Sequence, residues 1–442
     1  MKLLLAIVLA SPLLQAAEDS ATVLAKCRES ILTRAERLPN YTCNETVDRA
    51  YYRRAKPKVL KGGPGELLVR ESQSPPCSQL EKEKLVLAAT DRVRLEVKIS
   101  EGKEIGSWPG ASQFDSRSIF DLVGAGTFGT GPLGTLLVDV FANNGATITF
   151  QQPENKLFAY RFQVPLNSSH YYIQAWGNWR PVAFEGTAWI DPATSDLKRI
   201  EVHTGELPPE TQACYSTTDV EYERIRVGAT DFLAPKQSTL RFLMRDATQN
   251  ETSTVYSQCR AYQVESTLRF DDGSTPAAEP GPVPAPIPLP AGLEIPLAFT
   301  VPIDSKTAAA GDVIPAQTRM AVLDPRSGQV LLPAGALVEA RITTIRSEKM
   351  SPSYVLISMS LERFKAGSAW SPISAVFSYQ DQIENSRRMA SLAGATISLP
   401  SGTEPNTAAL PRNFLLFPAS KNGHVIPRGF QTNWVTTKPL TR

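Results

Sequence analysis

The sequence predicts a mainly β protein of the α+β class. A large curved antiparallel sheet or half-barrel is expected to wrap one N-terminal helix, and a small β-barrel or sandwich domain is expected to follow. Apolar residues occupy alternate positions in many short segments, which is typical of sheets with one dry face. The 442 residues include 35 prolines and 27 glycines, which favours frequent turns. A proline-rich stretch, 276–290, separates two regions built from such segments.

The first seventeen residues, 1–17, have the layout of a secretory signal peptide. Lys2 precedes the apolar run Leu3–Leu14, and the small residues Ala16 and Ala17 precede Glu18. We expect cleavage after one of the two alanines, the alternative being an uncleaved membrane anchor. The protein is therefore expected to be exported to the periplasm or the extracellular face of a bacterial envelope, and to be soluble after cleavage.

One helix is predicted over Ser20–Leu38. Apolar residues recur there at steps of three and four, Asp19 or Ser20 can cap the start, and Pro39 ends the helix. Cys27 lies on the apolar stripe. It is expected to be a free buried thiol, in preference to a redox or lipid-attachment site.

The sequence has five cysteines, and all of them precede the proline-rich stretch. Export permits disulfides, and an odd number of cysteines leaves one unpaired. Spacing along the chain favours Cys43 with Cys77 and Cys214 with Cys259, which leaves Cys27 as the spare. The sequence has no CxxC pair and no Cys/His cluster, so no metal site is predicted.

The first domain, 18–272, is predicted to consist mostly of strands. In Lys156–Val164 four apolar side chains share one face, and we expect them to line an apolar cavity inside the half-barrel. These candidate lining residues are Phe158, Tyr160, Phe162 and Val164. The other predicted strands are Tyr41–Val47, Arg92–Ile99, Tyr171–Trp176, Ala183–Asp191, Lys198–His203, Thr218–Val227, Ser238–Arg245, Thr254–Tyr262 and Glu265–Phe270.

The segment GTAWIDPATSDLKRIEV, Gly186–Val202, predicts a strand, a proline-centred turn and a second strand. With the export signal and the leading helix it resembles the bacterial periplasmic lipoprotein-carrier superfamily. Asn40–Cys43, Ser107–Ala111 and Ser118–Leu122 also resemble an uncharacterised envelope-protein group of soil bacteria. The resemblance covers 17–272 and implies a half-open barrel able to enclose an acyl chain. No position matches the superfamily's internal arginine motif.

A glycine-rich segment fits the dinucleotide fingerprint GxGxxG through Gly124, Gly126 and Gly129. Gly131 and Pro132 fall where the phosphate-binding helix would have to run, and no βαβ unit surrounds the segment. No cofactor is therefore expected. The four glycines instead predict a mobile loop or a lid at the mouth of the barrel.

The charges favour no nucleic-acid partner, because 46 Lys and Arg against 44 Asp and Glu give a formal net charge of only +2. One basic run allows two interpretations: contact with anionic groups at a membrane surface, or a solvated hairpin tip, which is favoured. Its residues are Arg49, Arg53, Arg54, Lys56, Lys58 and Lys61.

No catalytic constellation is visible in the sequence. His170, His203 and His424 are widely separated, and we expect satisfied or exposed side chains. The acid pairs Asp115 with Asp121 and Asp271 with Asp272 do not by themselves form a two-carboxylate site. The sequence therefore predicts a protein that is not an enzyme.

After the linker, 273–290, the second domain is expected over 291–442. Four turns with proline and glycine two residues apart, beginning at Leu289, Leu332, Leu399 and Ile426, predict a small barrel or sandwich. A loop insertion is expected near 387–411. The passages LPAGLEIPLAFTVPIDSKTAAAGDVIPA and QVLLPAGALVEARI, within 289–345, resemble the barrel domain of conjugation and type IV secretion scaffold proteins.

These expectations combine into an exported envelope protein without enzymatic activity. It would act as a binding or adaptor protein that holds an acyl chain or an apolar segment in the first domain. The alternative is a structural or assembly component of the envelope that contacts other proteins. A third hypothesis, an exported hydrolase of cell-wall glycans or esters, needs two carboxylates, or a serine and a histidine, to converge in a cleft.

Overall fold

The computed structural model describes residues 12–37, 41–55, 76–100, 103–111, 118–124, 126–131, 134–175, 178–227, 230–261, 289–349, 353–367, 369–378, 381, 413–420 and 423–437. Most of the predicted signal peptide, the linker up to residue 288 and the predicted insertion at 387–411 lie outside these residues, as does the predicted strand Glu265–Phe270. Within the described ranges, no helix is long and apolar enough to cross a membrane.

The described residues form four α-helices and twenty-four strands. The helices are α1 (Pro12–Arg37), α2 (Cys77–Leu80), α3 (Ile119–Val123) and α4 (Thr135–Phe141). The strands before the linker are β1 (Tyr41–Arg54), β2 (Leu85–Ser100), β3 (Lys103–Ser107), β4 (Thr147–Glu154), β5 (Leu157–Val164), β6 (Tyr172–Ala175), β7 (Asn178–Pro181), β8 (Phe184–Ile190), β9 (Leu197–Thr204), β10 (Ala213–Val227), β11 (Thr230–Met244) and β12 (Gln249–Ala261). The strands after it are β13 (Glu294–Phe299), β14 (Ile303–Asp304), β15 (Val313–Thr318), β16 (Val322–Leu323), β17 (Val330–Leu332), β18 (Leu337–Glu348), β19 (Tyr354–Ala366), β20 (Ala369–Pro372), β21 (Ala375–Phe377), β22 (Phe414–Pro418), β23 (Val425–Ile426) and β24 (Gln431–Thr436).

The predicted mainly β fold class is confirmed, because a large antiparallel sheet dominates and helices are few. We call the described residues before the linker the first half and those after it the second half. Ten strands of the first half pair in the order β3, β2, β1, β12, β11, β10, β9, β8, β5, β4. The predicted strand, turn and strand at Gly186–Val202 is also confirmed. There β8 and β9 pair across a turn in which the Ser195 N–H donates to the Asp191 carbonyl at 2.8 Å.

The long helix α1 packs on this sheet, but it begins earlier than the sequence predicts. It starts at Pro12, so Asp19 and Ser20 lie inside the helix and not at its cap. Leucines and alanines before them are good helix formers and continue the helix. Val23, Cys27 and Ile31 of α1 enter one hydrophobic cluster with α4, β5, β8 and β9.

The side chains expected to line an apolar cavity belong to this packed cluster. Tyr160, Phe162 and Val164 are each 1 % exposed, and Phe158 packs partly buried against them. The Tyr160 hydroxyl donates to the Ser20 carbonyl of α1 at 2.7 Å. The helix covers the face that the alternation identified, and an apolar cavity along that face stays a prediction.

The disulfide pairing expected from spacing is wrong. Cys43 bonds Cys259, and Cys77 bonds Cys214, while Cys27 is free and buried. The physical reason is the strand order: β1 pairs with β12, which brings residues 216 positions apart into adjacent strands. Sequence distance is a poor guide to disulfide partners in a sheet whose last strand lies beside its first.

The second half closes on itself around its own core. Pairings run β21, β24, β13, β15, β18, β19, β20, and the short segment 373–374 joins β20 back to β21. Inside are large side chains that are 1 % exposed or less: Phe299, Phe364, Phe377 and Trp434. The ring of Phe377 lies 4.2 Å from that of Trp434, centroid to centroid.

The two halves touch along the outer edge of β2. Residues 89–91 of β2 pair with 346–348 of β18, and Ala310 exchanges backbone hydrogen bonds with Arg92 and Arg94. Arg94 also forms an ion pair with Asp312. A backbone ladder therefore connects the two halves directly, whatever course the linker takes.

Candidate functional site

A cavity of about 200 Å³ lies between the sheet of the first half and a roof of shorter elements. Its floor is formed by β10, β11 and β12. Its roof is formed by α4, the segment 128–131 and the segment 170–173. We call this space the sheet cavity.

The floor of the sheet cavity follows from strand register. Thr218 of β10 lies opposite Leu240 of β11, which lies opposite Thr252 of β12. In the next row Ser238 lies opposite Thr254. Because side chains two apart along a strand share a face, both rows point toward the roof. The floor therefore offers four hydroxyl groups, with the apolar side chains of Leu240 and Phe242 among them.

The roof supplies most of the apolar surface. Leu136 of α4, Ile173 of β6, and the rings of Phe128 and Tyr171 face the floor. Phe120 of α3 supports this side of the cavity, with its ring centroid 5.9 Å from that of Phe128. Both walls of the sheet cavity thus carry apolar and hydroxyl-bearing side chains, because Thr130 and Thr135 also lie on the roof.

His170 and Asp139 form a pair at the mouth of the sheet cavity. Asp139 Oδ1 lies 2.6 Å from His170 Nδ1, and Asp139 Oδ2 accepts the His170 backbone N–H at 2.8 Å. The carboxylate is buried at 3 % exposure, whereas the imidazole is 64 % exposed. The buried acid therefore fixes the orientation of an accessible ring.

Two hydrogen bonds tie the glycine-rich segment to the sheet, and a third ties the end of α3, just before the segment, to β1. Thr252 Oγ1 donates to the Thr127 carbonyl at 3.0 Å, and the Gly131 N–H donates to Glu104 Oε1 at 2.8 Å. Arg49 Nη2 donates to the Val123 carbonyl at 3.2 Å. Gly129 and Gly131 line the sheet cavity, while Gly124 and Gly126 lie at the start of the segment. Mobility of this loop stays a prediction.

Next to the floor lies a buried acid that the sequence analysis did not single out. Glu45 of β1 lies opposite Tyr256 of β12, which hydrogen-bonds the floor residue Ser238. Burial, and then the charge of Glu104, raise the pKa of Glu45 well above its usual range. Alternation places Glu45 on the inward face, but its polar character gave no reason to expect it there.

The lining of the sheet cavity carries little charge. Its seventeen residues include one acid, Asp139, and one histidine, His170, and none of them is a lysine or an arginine. The cavity can therefore offer hydrogen bonds and apolar contact. Among the described residues that line it, none is a fixed cation that could pair with an anionic ligand.

The basic run is only partly described and is not a purely solvated tip. Arg49 is 5 % exposed and its Nε donates to Asp91 Oδ1 at 2.6 Å. It shares the inward face of β1 with Val47 and Tyr51, which explains its burial. Lys56, Lys58 and Lys61 lie outside the described residues.

The other two histidines lie apart from the sheet cavity. His203 is exposed and its ring lies 5.6 Å from that of Tyr215. The ring of His424 stacks on Phe417 at 4.5 Å. Among the described residues, no three His, Cys, Asp or Glu side chains come together as a metal site would require. Asp115, Asp271 and Asp272 lie outside those residues.

The comparisons with known proteins give one weak likeness. No protein-family model matches the chain, and no curated protein matches it significantly. Among solved structures, a LolA-superfamily protein from Nitrosomonas europaea is similar at 9 % sequence identity and a TM-score of 0.25. The alignment covers 55 % of this chain and 94 % of that one. A likeness of this strength supports no conclusion about function, and the expected resemblance of 289–345 to secretion scaffolds stays a prediction.

Proposed function

We propose that this is an exported, non-enzymatic binding protein that holds a short acyl chain or another apolar segment in the sheet cavity. The observation that carries the proposal is an open space lined by apolar and aromatic side chains together with hydroxyl groups. Small-molecule sites commonly combine apolar walls with a few placed polar groups. The ligand expected here is therefore amphiphilic.

The size of the sheet cavity limits the ligand. Pockets for drug-sized ligands span roughly 300–1,000 Å³, whereas an apolar cavity of about 150 Å³ holds a benzene-sized molecule. At about 200 Å³ the sheet cavity fits a short chain or the end of a longer one. A complete long acyl chain would need more room.

The hydrogen bonds of the floor support binding over catalysis. The hydroxyls of Thr218, Thr252 and Ser238 bond to Tyr171, to the Thr127 carbonyl and to Tyr256, respectively. Three of the four floor hydroxyls are thus engaged with a group other than His170. A hydroxyl that acts as a nucleophile would instead have to hydrogen-bond to the histidine that activates it.

The two disulfides support the exported location. Disulfides persist in oxidising compartments such as the periplasm and are rare in the cytosol. Both bonds lie in the half that contains the sheet cavity, and they join β1 to β12 and α2 to β10. A folded first half would accordingly depend on export.

Two tryptophan substitutions on α4 test the proposed site. Thr135 and Val138 are both exposed, but only Thr135 lines the sheet cavity. Thr135→Trp should weaken binding of 1-octanol at least about tenfold, which is the contribution of roughly two buried methylenes. Val138→Trp should leave it unchanged. Titration calorimetry or methyl NMR measures both, and equal affinity in the two variants would contradict the proposal.

A further inference from the structure

We propose that the sheet cavity selects amphiphiles with an uncharged, hydroxyl-bearing head group, and that His170 recognises this group through Nε2. The inference rests on the proposed function and names the class of ligand. It comes from the Asp139–His170 pair and from the charges of the lining, which together decide which head groups the mouth can accept.

The Asp139–His170 pair presents one defined polar atom. A carboxylate 2.6 Å from Nδ1 favours the proton on that nitrogen, because the bond is then charge-assisted. In the neutral imidazole, Nε2 is consequently an acceptor. The ring is 64 % exposed at the mouth, so a ligand hydroxyl can reach Nε2.

Asp139 is poorly placed to bind the ligand itself. Both of its oxygens already accept hydrogen bonds from His170, one from the backbone and one from the ring. It is also 3 % exposed. A cationic head group would therefore contact the exposed imidazole of His170 and not the buried carboxylate of Asp139.

An anionic head group is disfavoured by the charges around the sheet cavity. Asp139 lies in the lining, and Glu104 accepts the N–H of the lining residue Gly131. No Lys or Arg offsets them in the part of the lining that the structure describes. A carboxylate that entered would lose hydration next to like charges, which is unfavourable. The floor hydroxyls, in contrast, keep acceptor lone pairs beside the hydrogen bonds that they already make, so a neutral polyol can donate to them.

Three eight-carbon probes with different head groups test the selection: 1,2-octanediol, octanoate and octylamine, titrated at pH 8 and followed by methyl NMR. We expect the diol to bind tightest and octanoate to bind at least about tenfold more weakly. Octanoate or octylamine binding as tightly as the diol would overturn the inference and leave the proposed function standing. Failure of all three probes to bind would overturn both.

His170→Ala should weaken diol binding by about three- to tenfold, the size of one net hydrogen bond. His170→Gln should recover part of that loss, because its side-chain amide also offers hydrogen-bonding atoms at the mouth. His203→Ala is the matched control, since His203 is also exposed but does not line the sheet cavity. Full diol affinity in His170→Ala, with an unchanged melting temperature, would show that His170 does not recognise the head group.

Discussion

Glu45 occupies a buried position in which its carboxyl group is desolvated. It lies on β1 between Leu95 of β2 and Tyr256 of β12 and is 2 % exposed. The pKa of Tyr256 is also raised, first by burial and then by the charges of Glu45 and Glu104. The interior beside the sheet cavity therefore favours protonated, neutral groups.

This burial makes stability depend on pH. A carboxyl with a raised pKa in the folded state contributes stability that is complete below its unfolded value, near 4.5, and is lost as pH rises through the folded value. We therefore expect the unfolding free energy to fall from about pH 4.5 upward, and the Glu45→Gln variant to fall less steeply. Urea denaturation across this range measures both slopes, and parallel slopes would contradict the expectation.

At the residue scale, alternation predicted which positions point inward but not what every inward residue does. Val93, Leu95 and Val97 are buried as the pattern of β2 requires. Glu45 and Arg49 hold equivalent inward positions on β1, and polar character alone would have placed them outside. The pairing of His170 could not be predicted, because its partner Asp139 lies thirty-one residues earlier in the chain.

At the scale of elements, α2 depends on a covalent link. Its residues Cys77 and Leu80 form a small cluster with Cys214, Leu243 and Ala247, and the Cys77–Cys214 bond closes a separation of 137 residues. A four-residue helix has little stability of its own. The disulfide is accordingly a main attachment of α2 to β10.

Removing this bond should be costly. Chain-entropy reasoning gives about 5 kcal/mol for such a loop as an upper figure, and we expect the double variant Cys77→Ser, Cys214→Ser to lose about 2–5 kcal/mol of unfolding free energy. Cys27→Ala is the control: it touches the one free thiol, and we expect it to cost about 1 kcal/mol. Urea denaturation compares the variants, and equal stability of the double variant and the parent would refute the expectation.

The sequence predicted element types better than element partners. The period of α1 and the alternation in β5 and β8 are local signals that packing preserved. That α1 would cover β5, and that β12 would return beside β1, depends on contacts between residues over a hundred positions apart. Patterns of two or three residues contain no information on such contacts.

At the scale of the whole molecule, the contact between the halves centres on a glycine. Gly311 has φ +103°, and a Cβ there would lie 2.2 Å from the Arg94 carbonyl oxygen of the other half. Its N–H donates to the Ile342 carbonyl at 2.8 Å. Gly335 also has a positive φ, +79°, but a Cβ there would meet nothing within 4 Å.

Substitutions at these two glycines distinguish the cost of backbone strain from the cost of losing the contact between the two halves. Gly335→Ala should cost about 1–2 kcal/mol of unfolding free energy from its φ alone. Gly311→Ala should cost about 1–3 kcal/mol more, because the two halves must also move apart. Thermal unfolding followed by calorimetry gives both values. Equal losses in the two variants would indicate that the halves do not depend on this approach.

The sheet cavity is a property of the whole first half and could not be predicted from any single segment. Its floor comes from β10–β12 and its roof from α4, residues 128–131 and residues 170–173. Of its lining, the sequence drew attention to Gly129, Gly131 and His170 without indicating that they lie together. The fold class, in contrast, follows from repeated local alternation and was predictable.

The shared outer edge of β2 has a consequence for how the molecule avoids polymerising. An exposed strand edge is a template for another chain, and β2 would present one at residues 89–93 if the second half were elsewhere. β3 covers residues 96–100, and the second half covers the rest of that stretch. At the opposite border of the sheet, β4 contains Pro153, which lacks an N–H for a further strand. The second half thus covers the edge of β2 to which another copy of the protein could otherwise pair.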